Sequence, residues 1–413
     1  MTNLRSSEAV TATADRSQPR AALPALCATQ ITSWGIVYYA FPVLNPQITT
    51  ATGWSATATT AAFSGALLVS AVVGIFVGRV LDRRGPRAVM TSGSVLGVLA
   101  MLAIAHAPNL WSFTAGWLLA GVAMAATFYQ PAFAALTRWW GADRVRALTV
   151  VTLAGGLAST VFAPLTATLA GHLGWRTTYA VLAAILAVVT IPAHALALRA
   201  PWPPAPVPPP QPGTHSGSVV RTRPFFVLAT ALTLNSFAMY AVVVALVPLL
   251  IARGAGPTAA AWALGLGGAG QTLGRTLYAS FARRTGVTTR TFVLMLAGGI
   301  TTATFAVVPG PFPLLVGIAI AAGMVRGNLT LLQATAVTDR WGTTHYGRLS
   351  GLLAAPATVA SALAPFAGAS LAGQLGGYPS LFTLLALVSA AAAVVASGGT
   401  PPLHTSRETA SMP

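Results

Sequence analysis

The sequence predicts an all-α membrane protein with twelve transmembrane helices, arranged as two six-helix bundles. Three observations lead to this fold class: the composition, a series of apolar runs and an internal repeat. The 413 residues are 55% hydrophobic and 7% charged, and their mean hydropathy is +0.71. A water-soluble fold does not tolerate this balance, so a lipid bilayer is the expected surrounding of the chain.

Twelve apolar runs are long enough to span a bilayer, which takes about 20 residues. The first six cover residues 22 to 46, 56 to 81, 88 to 106, 110 to 135, 146 to 171 and 176 to 198. The last six cover residues 224 to 252, 258 to 282, 290 to 308, 311 to 337, 348 to 372 and 378 to 397.

Residues 200 to 223 separate the two sets of spans and contain eight prolines, which favour an extended polyproline II linker over a helix. This segment divides the chain into predicted regions. They are a cytoplasmic N-terminal tail (1 to 21), an N-terminal six-helix bundle (22 to 199), the linker (200 to 223), a C-terminal six-helix bundle (224 to 398) and a cytoplasmic tail (399 to 413).

The 23 basic residues are all arginines, and their placement predicts the orientation of the helices. With a cytoplasmic N-terminus, nineteen of them lie on the inner side, and only Arg176 and Arg253 lie on the outer side. Arginine resists translocation during insertion, so this bias predicts a multi-pass protein of the cell membrane with both termini in the cytoplasm. The net charge of +17 then reflects topology, and we expect no nucleic-acid partner.

The two halves repeat one another at an offset of 201 or 202 residues. At this offset Ala135–Gly141 matches Ala336–Gly342, Leu169–Gly174 matches Leu371–Gly376, and Gly85 matches Gly286. Each match alone is weak in a chain rich in alanine and glycine, but the shared offset indicates a parallel repeat about an axis along the membrane normal. Such repeats place a binding site between the halves, near the middle of the membrane.

The turn after the second span carries a distinct motif, Gly78-Arg-Val-Leu-Asp-Arg-Arg-Gly-Pro-Arg87. Asp82 ends one helix beside a glycine turn, where its carboxylate can face an arginine or the N-terminus of a neighbouring helix. The motif resembles the signature between the second and third helices of the major facilitator superfamily, which implies the major facilitator fold and a gate at this turn. The gate residues are Gly78, Asp82, Arg83, Gly85 and Arg87. The matching turn of the second half, Arg283–Gly286, lacks the aspartate, so we expect any second gate to be degraded.

Three stretches resemble the monocarboxylate and oxalate/formate carrier branch of that superfamily. They are Tyr39–Pro42 in the first span, Arg138–Leu148 after the fourth span and Gly174–Arg176 after the fifth. Two positions depart from the proton-coupled carriers of the branch. Val43 stands where those carriers have a lysine, and Gln271, four residues before Arg275, stands where they have an aspartate.

Two arginines lie inside predicted spans, Arg275 in the eighth and Arg326 in the tenth. A charged side chain at a helix centre costs about 2.5 to 3.5 kcal/mol on insertion scales, so both are candidate functional residues. All six acidic residues lie in tails or turns. We therefore expect an electropositive cavity that binds a small organic anion, because guanidinium groups pair bidentately with carboxylates. The structural alternative for each arginine is a long side chain that reaches the inner headgroups.

Other polar residues in the spans are candidates for substrate binding. They are Gln271, Asn328, Tyr38, Tyr39, Asn235, Tyr240, Tyr129 and Gln130. For each of them, a hydrogen bond between helices or an interfacial aromatic position is an equally valid interpretation. The motifs of soluble enzymes are absent from the sequence, so we expect no enzyme activity, catalytic residue, cofactor or metal site.

Together these features predict a secondary active or facilitative transporter of a monocarboxylate-like anion, working by alternating access as a monomer in the lipid bilayer. Two alternatives remain open. The first is an exporter of a larger apolar or weakly acidic metabolite or drug, in which the two arginines of the spans are structural. The second is a membrane sensor without transport, although the segments outside the spans offer little room for a signalling domain.

Overall fold

The computed structural model describes residues 19–203, 219–341 and 346–398, and nearly all of them are helical. No strand occurs within these ranges, which confirms the predicted all-α class. The predicted tails before residue 19 and after residue 398 lie outside the described residues, as do linker residues 204–218 and the turn that begins at Gly342.

The N-terminal half makes six crossings. The first runs from α1 (Ala22–Ser33) through a π-helical segment (Trp34–Tyr39) into α2 (Ala40–Thr52). The helices that follow are α3 (Ala56–Arg84), α4 (Pro86–Ala105), α5 (Leu110–Thr127), α6 (Tyr129–Trp140), α7 (Arg144–Gly156) and α8 (Ala158–Ala197). The fourth crossing consists of α5 and α6. Gly174, with a φ of 71°, breaks α8, so α7 with the first part of α8 is the fifth crossing and the rest of α8 is the sixth.

The C-terminal half makes the other six crossings. Its helices are α9 (Arg223–Ala252), α10 (Pro257–Arg284), α11 (Val287–Val307), α12 (Phe312–Thr335), the short α13 (Thr338–Trp341), α14 (Tyr346–Gln374) and α15 (Tyr378–Ser397). Nine helical stretches of the described chain are long and apolar enough to cross a membrane, and one of them, Arg144–Ala197, contains two crossings. The first crossing, which the π-helical segment interrupts, and the glycine-rich α10 complete the predicted twelve.

Local sequence sets several of the helix ends. At the start of α5, Asn109 and Ser112 form a capping box in which the Ser112 N–H donates to Asn109 Oδ1 at 2.9 Å. Pro86 and Pro257 occupy the first turns of α4 and α10, where a missing N–H leaves no helical hydrogen bond unmade. Gly85 joins α3 to α4 with a φ of 76°, a conformation that glycine adopts without steric cost. The Asp82 turn is therefore very short.

Glycines allow α10 and α12 to approach backbone to backbone. A Cβ atom on Gly323 would lie 1.9 Å from the carbonyl oxygen of Gly267, and one on Gly327 would lie 2.1 Å from that of Gln271. Small residues permit such contacts between membrane helices. The contact fixes the register of α10 against α12, which are the two helices that carry the arginines of the predicted site.

The two halves share an apolar cluster at one end of the molecule and have separate apolar clusters at the other. At the first end a single apolar cluster includes Phe41 and Leu44 of α2 together with Leu246 and Leu250 of α9. At the end that carries Asp82, each apolar cluster of the described chain belongs to one half alone. The apolar core that joins the halves therefore lies away from the Asp82 end.

Candidate functional site

A cavity of about 130 Å³ lies between the two halves, beside the π-helical segment. Its lining residues are Trp34, Tyr38, Tyr39, Tyr129, Gly155, Gly156, Met239, Tyr240, Val243, Gln271, Arg275, Arg326 and Thr330. These described lining residues include two arginines and no aspartate, glutamate or histidine. We call this space the arginine cavity.

Arg326 lies on α12, lines the arginine cavity and has an N–H group without a partner. Its Nε donates to Gln271 Oε1 at 3.3 Å, whereas its Nη2 is buried without a hydrogen-bond partner among the described residues. A buried donor left unpaired is costly, so the site favours a molecule that brings an acceptor. Because Gln271 is neutral where an aspartate would offset the guanidinium, the positive charge of Arg326 stays available to a ligand.

Arg275 of α10 connects the two halves. Its side chain is buried, and its Nη1 donates to the backbone carbonyl of Thr152 on α7. Gly156 leaves space for this approach, because a Cβ there would lie 3.0 Å from Nη1. The Nε of Arg275 is buried and has no hydrogen-bond partner in the described structure. Arg275 thus joins the halves and keeps a donor without a protein partner.

Aromatic side chains form the uncharged wall of the arginine cavity. Trp34, Tyr38 and Tyr39 come from the π-helical segment, whose hydrogen bonds span five residues and so bring Tyr39 back toward Trp34. Tyr129 comes from α6 and Tyr240 from α9. The rings of Tyr38 and Tyr240 lie 6.4 Å apart between centroids, so the wall crosses the boundary between the halves.

A second cavity, of about 280 Å³, adjoins the first and shares four aromatic residues with it. It is lined by Trp34, Tyr38, Leu67, Ser70, Ala71, Met124, Ala125, Phe128, Tyr129, Gln130, Tyr240, Thr358, Ser361 and Ala362. None of these residues is charged, and we call this space the neutral cavity. It lies between α3 and α14, which are joined nearby by a 3.1 Å hydrogen bond from the Phe366 N–H to Ser64 Oγ.

Three of the predicted binding residues lie away from the arginine cavity. Gln130 lines the neutral cavity. Asn235 lines a third, smaller cavity of about 40 Å³ that Arg326 also lines. Asn328 lines none of these three cavities, and its Nδ2 donates to the carbonyl of Met324 in its own helix at 2.9 Å. The other seven predicted binding residues line the arginine cavity, and they are Arg275, Arg326, Gln271, Tyr38, Tyr39, Tyr240 and Tyr129.

Several residues at or beside the arginine cavity were not predicted from the sequence. Trp34 precedes Tyr38 by four residues and Thr330 follows Arg326 by four, so helical spacing from a predicted residue could have indicated both. The carbonyl of Thr152 gives no such signal, because every residue carries a backbone carbonyl. Only the three-dimensional contact with Arg275 identifies it.

The Asp82 turn is held by an arginine of the same half and covered by the start of the linker. Asp82 Oδ1 accepts a hydrogen bond from Arg138 Nη2 at 2.6 Å, and the Asp82 side chain is 63% exposed. Trp202 donates from Nε1 to the Asp82 carbonyl at 3.1 Å, and its ring centroid lies 4.5 Å from the Arg138 guanidinium carbon. A Cβ on Gly85 would lie 3.1 Å from the Trp202 ring, so glycine makes room for the tryptophan.

The remaining predicted gate residues differ in their contacts. Arg87 Nε donates to the carbonyl of Ala195 at 2.9 Å and thereby ties α4 to α8. Arg83 is exposed, and a Cβ on Gly78 would meet no atom within 4 Å. The structure thus gathers Asp82 and Gly85 around Arg138 and Trp202, neither of which the sequence had placed in the gate.

The C-terminal half has an ion pair beside the turn that matches the Asp82 turn. Asp339 matches Arg138 at the repeat offset of 201, and its Oδ2 accepts a hydrogen bond from Arg290 Nη2. Arg290 lies near the start of α11, and its side chain is only 5% exposed. The neighbouring Arg340 is also buried, which lowers its pKa to about 10. The turn at Arg283–Gly286 itself has no aspartate, and the degraded second gate stays a prediction.

Comparisons with known proteins agree with this architecture. The sequence model described as the Major Facilitator Superfamily matches residues 26–311 and 228–411. The uncharacterized MFS-type transporter YcxA of Bacillus subtilis (strain 168) is 25% identical over 136 residues, and this alignment spans 33% of each chain. Monocarboxylate transporter 13 of Bos taurus is 28% identical over 330 residues, covering 78% of this chain and 75% of the relative.

Two similar solved structures are those of a bacterial homolog to the human lysosomal transporter Spinster, in an inward-facing conformation. The unoccupied form has a TM-score of 0.68 and 14% identity, and it covers 93% of this chain and 95% of its own. The occupied form has a TM-score of 0.68 and 15% identity, with coverages of 91% and 95%. At these identities the likeness concerns the fold alone.

Proposed function

Since the chain belongs to the major facilitator superfamily, whose members are multi-pass membrane transporters, we propose that it carries a small, monocarboxylate-like organic anion by alternating access. The two halves rock about a site between them. The proposal places the protein in the cell membrane with both termini in the cytoplasm, because nineteen arginines lie on that side and two on the other. The Asp82 end then faces the cytoplasm.

The observation that carries the proposal is a pair of arginines that line one cavity and that each have a buried donor without a partner. Arg326 Nη2 and Arg275 Nε are both buried without partners in the described structure, and both residues line the arginine cavity. A carboxylate offers two oxygen acceptors and a negative charge. Charge-assisted hydrogen bonds of this kind are roughly twice as strong as those between neutral groups.

The charge of the cavity also supports an anion over a cation. Two guanidinium groups line it, and no described lining residue carries a carboxylate that could receive a cationic cargo. The partly similar Bos taurus protein is named a monocarboxylate transporter, which agrees with a carboxylate cargo. We propose no cofactor or metal for this site.

Binding of the anion is also proposed to change the contact between the halves. Arg275 Nη1 donates to the Thr152 carbonyl, which is a neutral acceptor. A carboxylate in the arginine cavity competes for the same guanidinium and is the stronger acceptor because it is charged. Its arrival weakens the contact between α7 and α10, so occupancy is coupled to the rocking of the halves.

Transport of radiolabelled acetate, pyruvate and benzoate into proteoliposomes tests this proposal. We expect Arg275→Ala and Arg326→Ala each to lower uptake at least about tenfold, because truncating one partner of a buried charge pair costs about 2 to 5 kcal/mol. Arg283→Ala is the matched control, since Arg283 lies on the same helix as Arg275 but is exposed. An unfolding midpoint measured for each variant separates lost transport from lost folding.

The outcomes distinguish the alternatives. Unchanged carboxylate uptake in both alanine variants would refute the anion site. Flux of an uncharged apolar dye that is insensitive to both substitutions, together with no carboxylate uptake, would favour an exporter of apolar compounds. Carboxylate binding without any flux would favour a sensor.

A further inference from the structure

We infer that the cargo is a monocarboxylate with an aromatic or similarly apolar body, whose carboxylate occupies the arginine cavity and whose body occupies the neutral cavity. This inference rests on the proposed function and narrows its substrate class. It follows from the arrangement, size and chemistry of the two cavities.

The arrangement places the two cavities side by side. They share Trp34, Tyr38, Tyr129 and Tyr240, so the two cavities adjoin at these four aromatic side chains. The proposed cargo extends past these side chains and contacts the two arginines and the neutral cavity together.

The size of the arginine cavity limits what it holds by itself. Its volume of about 130 Å³ is less than half of the roughly 280 Å³ of the neutral cavity. This space suits a carboxylate with few further atoms. Cavities for small-molecule ligands usually measure about 300 to 1,000 Å³, a range that the two cavities reach together and neither reaches alone.

The chemistry of the neutral cavity suits an apolar ring. Its walls include Leu67, Met124 and Phe128, and none of its described lining residues is charged. Trp34 stacks on Phe128 with ring centroids 4.1 Å apart, so the two rings present a preformed flat surface. Offset and edge contacts with such rings stabilise a further ring beyond the gain from burial alone. Methionine adds a polarisable contact that adapts to ring shape.

Isothermal titration calorimetry on the purified full-length protein tests the inference with acetate, phenylacetate and 2-phenylacetamide. Each additional buried methylene-sized group strengthens binding about fourfold, so we expect phenylacetate to bind at least about 30-fold more tightly than acetate. We expect 2-phenylacetamide, which keeps the ring but lacks the charge, to bind at least about 10-fold more weakly than phenylacetate.

Two substitutions on α3 examine the neutral cavity directly. Ala71→Phe places a ring in this cavity, and we expect it to weaken phenylacetate binding at least about tenfold while acetate binding stays within about twofold. Val72→Phe is the matched control, because Val72 is the next residue on the same helix, is 59% exposed and does not line the cavity. We expect it to leave both affinities unchanged.

The results separate this inference from the proposed function. Equal affinities for acetate and phenylacetate, or an equal loss of both in Ala71→Phe, would overturn the inference and leave the anion site intact. Equal affinities for phenylacetate and 2-phenylacetamide would overturn the anion site itself. Absence of binding by all three compounds would overturn both.

Discussion

The backbone contact of Gly327 on α12 with α10 allows a sharp test of how the candidate site is held together. In Gly327→Ala, the new Cβ would lie 2.1 Å from the carbonyl oxygen of Gln271 and 3.2 Å from the backbone nitrogen of Arg275. Ordinary contacts begin at 3.4 Å, so the two backbones must separate by about 1.3 Å. Overpacking of this kind costs about 1 to 3 kcal/mol, and backbone atoms cannot rotate away as a side chain can.

Gly317→Ala is the matched control on the same helix. Nothing lies within 4 Å of its added Cβ. Alanine is favoured over glycine inside a helix by about 0.5 to 1 kcal/mol, so this variant should be slightly more stable than the wild type. The same chemical change at two positions of α12 is therefore expected to act with opposite signs.

Two measurements check this prediction. The unfolding midpoint, followed by the fluorescence of the tryptophans, should fall for Gly327→Ala and rise for Gly317→Ala. Anion affinity should fall only for Gly327→Ala, because separation of α10 from α12 lengthens the 3.3 Å hydrogen bond between Arg326 and Gln271. A Gly327→Ala protein that matches Gly317→Ala in both measurements would refute the view that this helix contact positions the arginines.

Two further predictions concern charged groups. Arg326→Lys keeps the positive charge but loses the planar guanidinium group that pairs with both carboxylate oxygens. We therefore expect at least about tenfold weaker carboxylate binding by titration calorimetry. Wild-type affinity in this variant would show that the charge alone suffices. Asp82→Asn removes the partner of Arg138 from a pair whose carboxylate is 63% exposed, and it should change the free energy of unfolding by less than about 1 kcal/mol. Asp339→Asn leaves Arg290 buried without its carboxylate and should cost about 1 to 3 kcal/mol. Chemical unfolding of both asparagine variants compares them, and equal losses would contradict the difference in burial.

The membrane architecture is predictable from the sequence because hydrocarbon imposes a simple rule on composition. Apolar runs of sufficient length become helices, and the break at Gly174 falls between the predicted fifth and sixth spans. The π-helical segment is not predictable in the same way. Its residues Trp34–Tyr39 are apolar or aromatic like those of any span. The change from α-helical to π-helical hydrogen bonds does not alter the hydropathy of the segment, so hydropathy cannot predict it.

The charged residues of the candidate site are predictable from the sequence, because burying a charge inside a membrane span is costly. Arg275 and Arg326 stand out in the sequence for that reason, and both line one cavity. Amides give a weaker signal, because an amide can bond to its own helix, as Asn328 does. The packing of Trp202 on the Asp82 turn depends on the path of the linker, which periodicity along a helix does not determine.

The absence of acidic and histidine residues from the described lining of the arginine cavity has a consequence for energetics. Without an acidic or histidine side chain, the described lining has no group that would carry a proton together with the cargo. The membrane potential then acts on the charge of the proposed anion itself. A monoanion that crosses alone carries one elementary charge, and a potential of 100 mV acts on it with about 2.3 kcal/mol. With the cell interior negative, that energy favours outward movement and corresponds to an approximately 50-fold concentration ratio at equilibrium.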